Sequence, residues 1–251
     1  MNTSSNGYVM GFAIGVCVII SAALAMTNNA LKPTQDEAAE FDRQKNVMMA
    51  AGLVVDGDTR PIEELKKLYV ERVKEVVVNT KSGEVLQGKT QKEATQLNKE
   101  AAAAEKGDKS AASRYRVAAL TTDATGKLES VVLPISGKGL WSTIYGYLAL
   151  EGDLEHVRGV TFYKHGETPG LGGECENPVW CAQWKGKSIL DEQKKLVGIV
   201  VKKGKVDPVI AADKAHKVDG LSGATITSNG ITNFVKADLS AFESYLASLR
   251  K

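Results

Sequence analysis

The chain has 251 residues, enough for one sizeable core plus an anchor, or for two small domains. Its 32 basic and 30 acidic residues leave a net charge of +2, which gives no reason to propose a nucleic-acid partner. Three cysteines are too few for a disulfide scaffold or a four-thiolate metal site.

After a short tail, residues 1–7, the first element is an apolar run. Tyr8 to Met26 contains no charged residue. At 1.5 Å per residue it spans about 28 Å, close to the hydrocarbon thickness of a bilayer. It reads as a single uncleaved transmembrane helix, residues 8–26. A cleaved signal peptide is the rival, on the strength of Ala23-Leu24-Ala25, but no Lys or Arg precedes the run. Lys32, Arg43 and Lys45 follow it, mixed with Asp36, Glu37, Glu40 and Asp42. A literal count of flanking positive charge would keep the soluble part in the cytoplasm.

Residues 27–114 read as juxtamembrane helices and a polar helical insert. Gln35 to Ala50 has a helical rhythm. Pro61 stands at a helix start, with Glu63 and Glu64 in the first turn and Leu65, Leu68, Val70 and Val73 as the apolar stripe. Thr90 to Lys109 is rich in Ala, Lys and Glu, and is expected to be a solvent-facing insert or a flexible excursion.

A compact domain is expected over 115–251. Val117 to Leu120, Leu128 to Leu133, Tyr145 to Leu150, Val157 to Tyr163 and Leu196 to Val201 read as strands. Asn229 to Leu249 carries Ile231, Phe234, Val235, Leu239, Phe242, Leu246 and Leu249 on one face of an amphipathic helix. The fold class is therefore α/β or α+β, a twisted sheet with flanking helices. No G-x-G-x-x-G follows the first of these strands, so a dinucleotide-binding doubly wound fold is not indicated.

The residues that point to chemistry lie where an extended segment passes into the last helix. Asp219-Gly220-Leu221-Ser222-Gly223-Ala224-Thr225 is followed by Ile226, Thr227 and Ser228. Thr227 or Ser228 is the expected N-cap, which would leave first-turn amides pointing toward Thr225. A phosphate there would meet oriented N–H donors and the positive end of the helix dipole. Gly220 and Gly223 allow close backbone approach, and Ala224 keeps the wall small. An ordinary Gly/Ser turn capping a helix would use the same residues. Two further stretches stand out, Ser136-Gly137-Lys138-Gly139-Leu140-Trp141 and His165-Gly166-Glu167-Thr168-Pro169-Gly170-Leu171-Gly172. The second makes a tight loop at a strand end, a place for backbone groups to meet a flat ligand.

The run Asp219–Thr225 resembles the motif at which flavin mononucleotide is esterified through its phosphate to a threonine in FMN-binding domains of respiratory complexes. With the two other stretches, the single apolar span and the insert in the same order, the whole chain resembles the C subunit of the Na+-translocating NADH:quinone reductases. The G subunit of Rnf-type complexes shares the anchor and the threonine motif, but the insert and the Gly137-to-Trp141 wording favour the quinone reductase. A membrane-anchored structural protein that never receives flavin is the reading from a different class.

The resemblance implies FMN bound covalently to Thr225. Asp219 would open the recognition motif, Leu221, Ser222, Gly223 and Ala224 would belong to it, and Thr227 is the hydroxylated position after it. In the 165–172 loop, Thr168 and Leu171 are expected to contact the isoalloxazine ring, with Gly170 and Gly172 shaping the turn. Lys202 and Lys203 could counter phosphate charge, but a pair beside Gly204 is more often a solvated turn and is not counted in the site. Trp141, Tyr145 and Tyr147 are candidates for the ring's flank, for the core or for contacts with other subunits. The implied role is an electron relay within a translocase that oxidises NADH, reduces ubiquinone and exports sodium. This chain would carry the flavin and not the NADH site. The implied partners are the other membrane subunits and a flavin transferase during maturation. The implied location is the bacterial inner membrane with the flavin domain in the periplasm, against the literal charge count. Cys175 and Cys181 are compatible with a disulfide in an oxidising compartment. The three histidines show no metal-ligand pattern, and no metal is expected.

Overall fold

The computed structural model describes residues 6–105 and 111–250. Two units emerge, one ending at Arg43 and one beginning at Gln44. The N-terminal tail therefore lies mostly outside the described residues, as do Lys106 to Lys109 at the end of the insert.

Helix α1 (Asn6–Ala50) is one continuous element that includes Pro33, where the sequence suggests two separate helices. Its most apolar 18-residue stretch has a mean hydropathy of 2.5 and is not buried in protein, so α1 is long and apolar enough to cross a membrane. The helix stops at Gly52, whose φ of +69° suits glycine. Gly52 N donates to Met49 O at 3.0 Å and Leu53 N to Met48 O at 2.9 Å, the paired bonds of a Schellman cap.

Pro61 precedes α2 (Ile62–Arg72) as expected, but Val70 is exposed, and Val73 leaves the helix to open strand β1 (Val73–Asn79). Four of that strand's seven residues are valine, a β-branched density that favours extended backbone. After β2 (Val85–Leu86), α3 (Gln91–Ala104) forms the insert. Thr90 and Glu93 make a reciprocal capping box. The insert is not detached from the domain, because Asn98 both donates to Tyr115 O (2.8 Å) and accepts from Tyr115 N (2.7 Å).

Strands β3 (Tyr115–Thr122), β4 (Leu128–Lys138), β5 (Thr143–Glu151) and β6 (Val157–Lys164) follow the expected alternation with longer ends. The sheet is antiparallel in the order β2-β1-β3-β4-β5-β6. It thus reaches back past Tyr115, the expected start of the core, because β1 pairs with β3 along its whole length. The remaining elements are α4 (Pro178–Ala182), β7 (Val200–Val201), α5 (Ala211–His216), β8 (Lys217–Val218) and α6 (Thr225–Leu249). The expected strand Leu196–Val201 shrinks to β7, which pairs in parallel with β8.

One face of the sheet packs Val76, Val131, Leu133, Ile135, Leu148 and Leu150 with Phe234, Leu239, Phe242 and Leu246 of α6. Trp180, Trp184 and Phe162 complete that core in edge-on and tilted contacts. The alternating residues Val77, Ala119, Val132 and Ala149 are also buried but belong to no part of that cluster. The end of α1 lies along β6, where Arg158 Nε donates to Ala51 O at 2.5 Å. A Cβ on Gly159 would stand 2.5 Å from Ala50 O, so only glycine permits that approach. Strands β4, β5 and β6 run antiparallel, so Lys138, Thr143 and Lys164 lie at one end of the sheet. The candidate site forms there.

Candidate flavin attachment site

Helix α6 begins at Thr225, three or four residues earlier than expected. Ala224 occupies the N-cap position and no side chain among the described residues caps the helix. Thr227 and Ser228 are therefore first-turn residues, both buried, and their hydroxyls serve tertiary contacts instead of the cap. Ser228 Oγ accepts from Leu221 N at 3.2 Å, folding the motif back on the helix. Ser228 N makes the first helical bond, to Ala224 O at 2.9 Å. The amides of Thr225, Ile226 and Thr227 have no acceptor among the described residues. Thr225 itself is exposed at the first helical position.

Glycines bring α6 this close to the sheet end. A Cβ on Gly230 would sit 2.3 Å from Lys138 O, and one on Gly137 would sit 2.2 Å from Phe234 Cβ. Gly223 has φ +68°, with Leu171 Cδ2 2.8 Å from where its Cβ would stand. Leu171 therefore meets the threonine motif and remains 44% exposed.

Glu167 organises the centre of this region, and sequence reasoning passed over it in favour of its neighbour Thr168. It is 5% exposed. One carboxylate oxygen accepts from Trp141 N (2.9 Å) and Ser142 N (3.1 Å). The other accepts from Leu140 N (3.1 Å) and from the Thr227 hydroxyl (2.6 Å). Burial works to raise its pKa. The hydrogen bonds from Thr227, Trp141, Ser142 and Leu140 outweigh that and hold the carboxyl below its ordinary range. A Cβ on Gly139 would lie 2.6 Å from Glu167 Oε1, and one on Gly172 would lie 2.8 Å from both Glu167 Oε2 and Thr227 Oγ1.

The other candidates divide between this centre and its supports. Gly172 is buried beside Glu167, and Gly170 supplies a φ of +75° in the same turn. Thr168 is exposed, and its carbonyl accepts from Leu171 N (3.2 Å) and Gly173 N (3.0 Å). Leu221 is buried in the core and Ser222 is exposed. Asp219 acts as a brace: its carboxylate accepts from Val206 N (2.7 Å) and its carbonyl from Trp180 Nε1 (2.8 Å). Lys202 is engaged by the buried Asp213, which also pairs with Lys217. Trp141 is 67% exposed and Tyr145 partly so, whereas Tyr147 is buried and stacked on Tyr163 at 5.4 Å between ring centroids. Cys175 and Cys181 are free thiols. Cys181 Sγ donates to Cys175 O at 3.3 Å, and burial pushes both up to about 12.

Residues 139–240, which contain all of these loops, match the FMN-binding domain family. The chain is 40% identical over 261 residues to the C subunit of the Na(+)-translocating NADH-quinone reductase of Pseudomonas aeruginosa, covering 100% of this chain and 98% of that protein. The chain belongs to the family of C subunits of Na+-translocating NADH-quinone reductases. A second member, from Pasteurella multocida, is 37% identical across 93% of this chain and 89% of its own. The crystal structure of Shewanella oneidensis NqrC superposes with a TM-score of 0.70 at 32% identity, covering 85% of this chain and 99% of that one. The Parabacteroides distasonis member gives 0.66 at 26% identity, over 86% and 96%. The family match leaves the role of each residue to the local geometry. That geometry fits a flavin phosphate at Thr225, since an exposed hydroxyl stands among three amides that lack acceptors among the described residues. Exposed Leu140, Trp141, Leu171 and Ile226 lie on the segments that meet at Glu167 and Thr227, and offer apolar surface that a flat ring would cover.

Proposed function

We propose that Thr225 is the covalent attachment point for FMN, through a phosphoester to its Oγ. As a member of the family the chain is an FMN-binding electron-transfer subunit of a membrane-bound, Na+-translocating NADH-quinone reductase complex. The observation that carries the attachment is the exposed hydroxyl of Thr225 at the start of an uncapped helix, inside the run Asp219–Thr225. In maturation, a flavin transferase acting on FAD would join the flavin phosphorus to Thr225 Oγ. The pyrophosphate bond breaks, AMP leaves, and the hydroxyl proton is released.

Each group at the site then has a task. The amides of Thr225, Ile226 and Thr227 face the phosphoester charge, and the helix dipole adds to them. Gly223 and Ala224 leave room for the backbone to approach it. Leu171, with Thr168 beside it, supplies one wall for the ring. The flavin supplies the redox chemistry, while the protein fixes its place and tunes its surroundings. Tethering prevents loss of the cofactor, which suits a domain facing the periplasm.

The test is intact mass with in-gel flavin fluorescence, for the full chain and Thr225→Val, each co-expressed with the flavin transferase. The wild type should gain about 440 Da that survives denaturation, and the variant should gain nothing. An unmodified wild type under those conditions rules the proposal out.

A further inference from the structure

Two carboxylates are buried among the described residues, and they are satisfied in opposite ways. Asp213 is paired with Lys202 and Lys217. Glu167 has no cation within ion-pair distance among the described residues, and its charge is met by three backbone N–H groups and one hydroxyl. A buried charge without a counter-ion is costly unless its hydrogen bonds are nearly complete. Two glycines, 139 and 172, keep the space that the carboxylate fills. The arrangement is built around Glu167.

The four donors come from two segments, and Glu167 from a third. Leu140, Trp141 and Ser142 lie in the β4–β5 loop, Thr227 in the first turn of α6, and Glu167 in the loop after β6. Ser142 Oγ adds a second tie between loops by accepting from Gly166 N at 2.6 Å. The same three segments display the large apolar side chains left exposed beside the motif: Leu140 at 40%, Trp141 at 67%, Leu171 at 44% and Ile226 at 59%. Exposed apolar side chains gathered at one place mark a surface that something covers. We infer that Glu167 is a positioning residue for the tethered flavin: it latches the three loops together through Thr227 and the 140–142 amides, so that their apolar side chains hold the ring in one orientation. This rests on the reading of Thr225 as the attachment point. Glu167 acts through the loops, at a distance from the phosphoester set by the first turn of α6.

The experiment compares the full-length wild type with Glu167→Gln, Thr227→Val and Thr227→Ser, all co-expressed with the flavin transferase and purified in detergent. Three quantities are read for each: mass at Thr225, fluorescence anisotropy of the covalent flavin, and hydrogen exchange at the Leu140, Trp141 and Ser142 amides. Glutamine places an NH2 where one carboxylate oxygen accepts, and valine removes the hydroxyl donor. Both should lower flavin anisotropy by about half and speed exchange at the three amides by roughly tenfold, with the β4 and β5 amides unchanged. Serine keeps the donor and should behave as wild type. Should Glu167→Gln fail to accumulate, the Thr227 valine and serine pair decides. A variant left unloaded still reports through exchange, and unchanged exchange overturns the latch. Wild-type anisotropy in flavin-loaded Glu167→Gln and Thr227→Val, with only a lowered melting temperature, overturns the inference and leaves Glu167 a purely structural tie. An unmodified wild type removes the Thr225 reading first, and this inference with it.

Discussion

At the scale of single residues, Glu167 shows how a charge can be seated with no cation beside it among the described residues. Its depressed pKa fixes the sign of a pH effect. The folded value lies below the ordinary 4.5, so the carboxylate's stabilisation is fully present above pH 4.5 and fades as pH falls through the folded value. The melting-temperature gap between wild type and Glu167→Gln should therefore be widest near neutrality and shrink progressively below pH 4.5. At pH 7 the gap should correspond to about 1–3 kcal/mol, the usual cost of upsetting buried hydrogen bonds to a charged group. A gap independent of pH would show that the carboxyl is unshifted by folding, and one that narrows as pH rises above 4.5 would show that Glu167 is protonated in the folded protein. Gly172→Ala tests the same seat from outside, since its methyl would press on Glu167 Oε2 and Thr227 Oγ1 at 2.8 Å. A loss of about 1–3 kcal/mol in denaturant unfolding is expected. A candidate site at Thr225 was legible in its own neighbourhood, because glycines and hydroxylated residues cluster there. Glu167 was not, because its sequence neighbourhood is polar and glycine-rich, and the groups that bury it come from two other loops.

At the scale of elements, the approach of α6 to the end of β4 decides where the site stands. The expected N-cap at Thr227 or Ser228 failed for a specific reason: both hydroxyls have partners outside the helix, Glu167 for one and the Leu221 amide for the other. Local capping propensity gave way to tertiary hydrogen bonds, and the helix gained Thr225, Ile226 and Thr227. Gly230→Ala should expose how close the approach is. Its methyl would meet the Lys138 carbonyl oxygen at 2.3 Å, and backbone offers little relief. A cost of about 3 kcal/mol is expected in thermal or denaturant unfolding, together with poorer flavin loading because Lys138 adjoins the Gly139–Ser142 loop. A near-neutral result would mean that the helix can withdraw freely. Strand β1 was hidden from sequence reading for a related reason. It follows α2 without an intervening turn, so its valines extend an apolar stripe that reads as helical.

At the scale of the whole molecule, both faces of the sheet bury apolar residues, one of them against α6 and the tryptophan layer. The sheet draws Val73 to Leu86 into the domain, and residues 44–51 are packed with it, so the domain begins well before Tyr115. The membrane orientation is a separate question, on which flanking charge and family resemblance disagree. The periplasmic reading predicts an active alkaline phosphatase fused after Lys251 and a non-fluorescent GFP at the same place. The reverse pattern would return the flavin domain to the cytoplasm.

Composition and local pattern alone determined the apolar span, the strand alternation from β3 to β6, the amphipathic last helix and the threonine motif, because each is written within a few consecutive residues. Tertiary structure decided the rest. Glu167 and Thr227 lie 60 residues apart, and Asn98 and Tyr115 meet across a loop. No periodicity encodes such pairings. They follow from which strand ends fall side by side, and from the glycines that let backbones come close enough to bond.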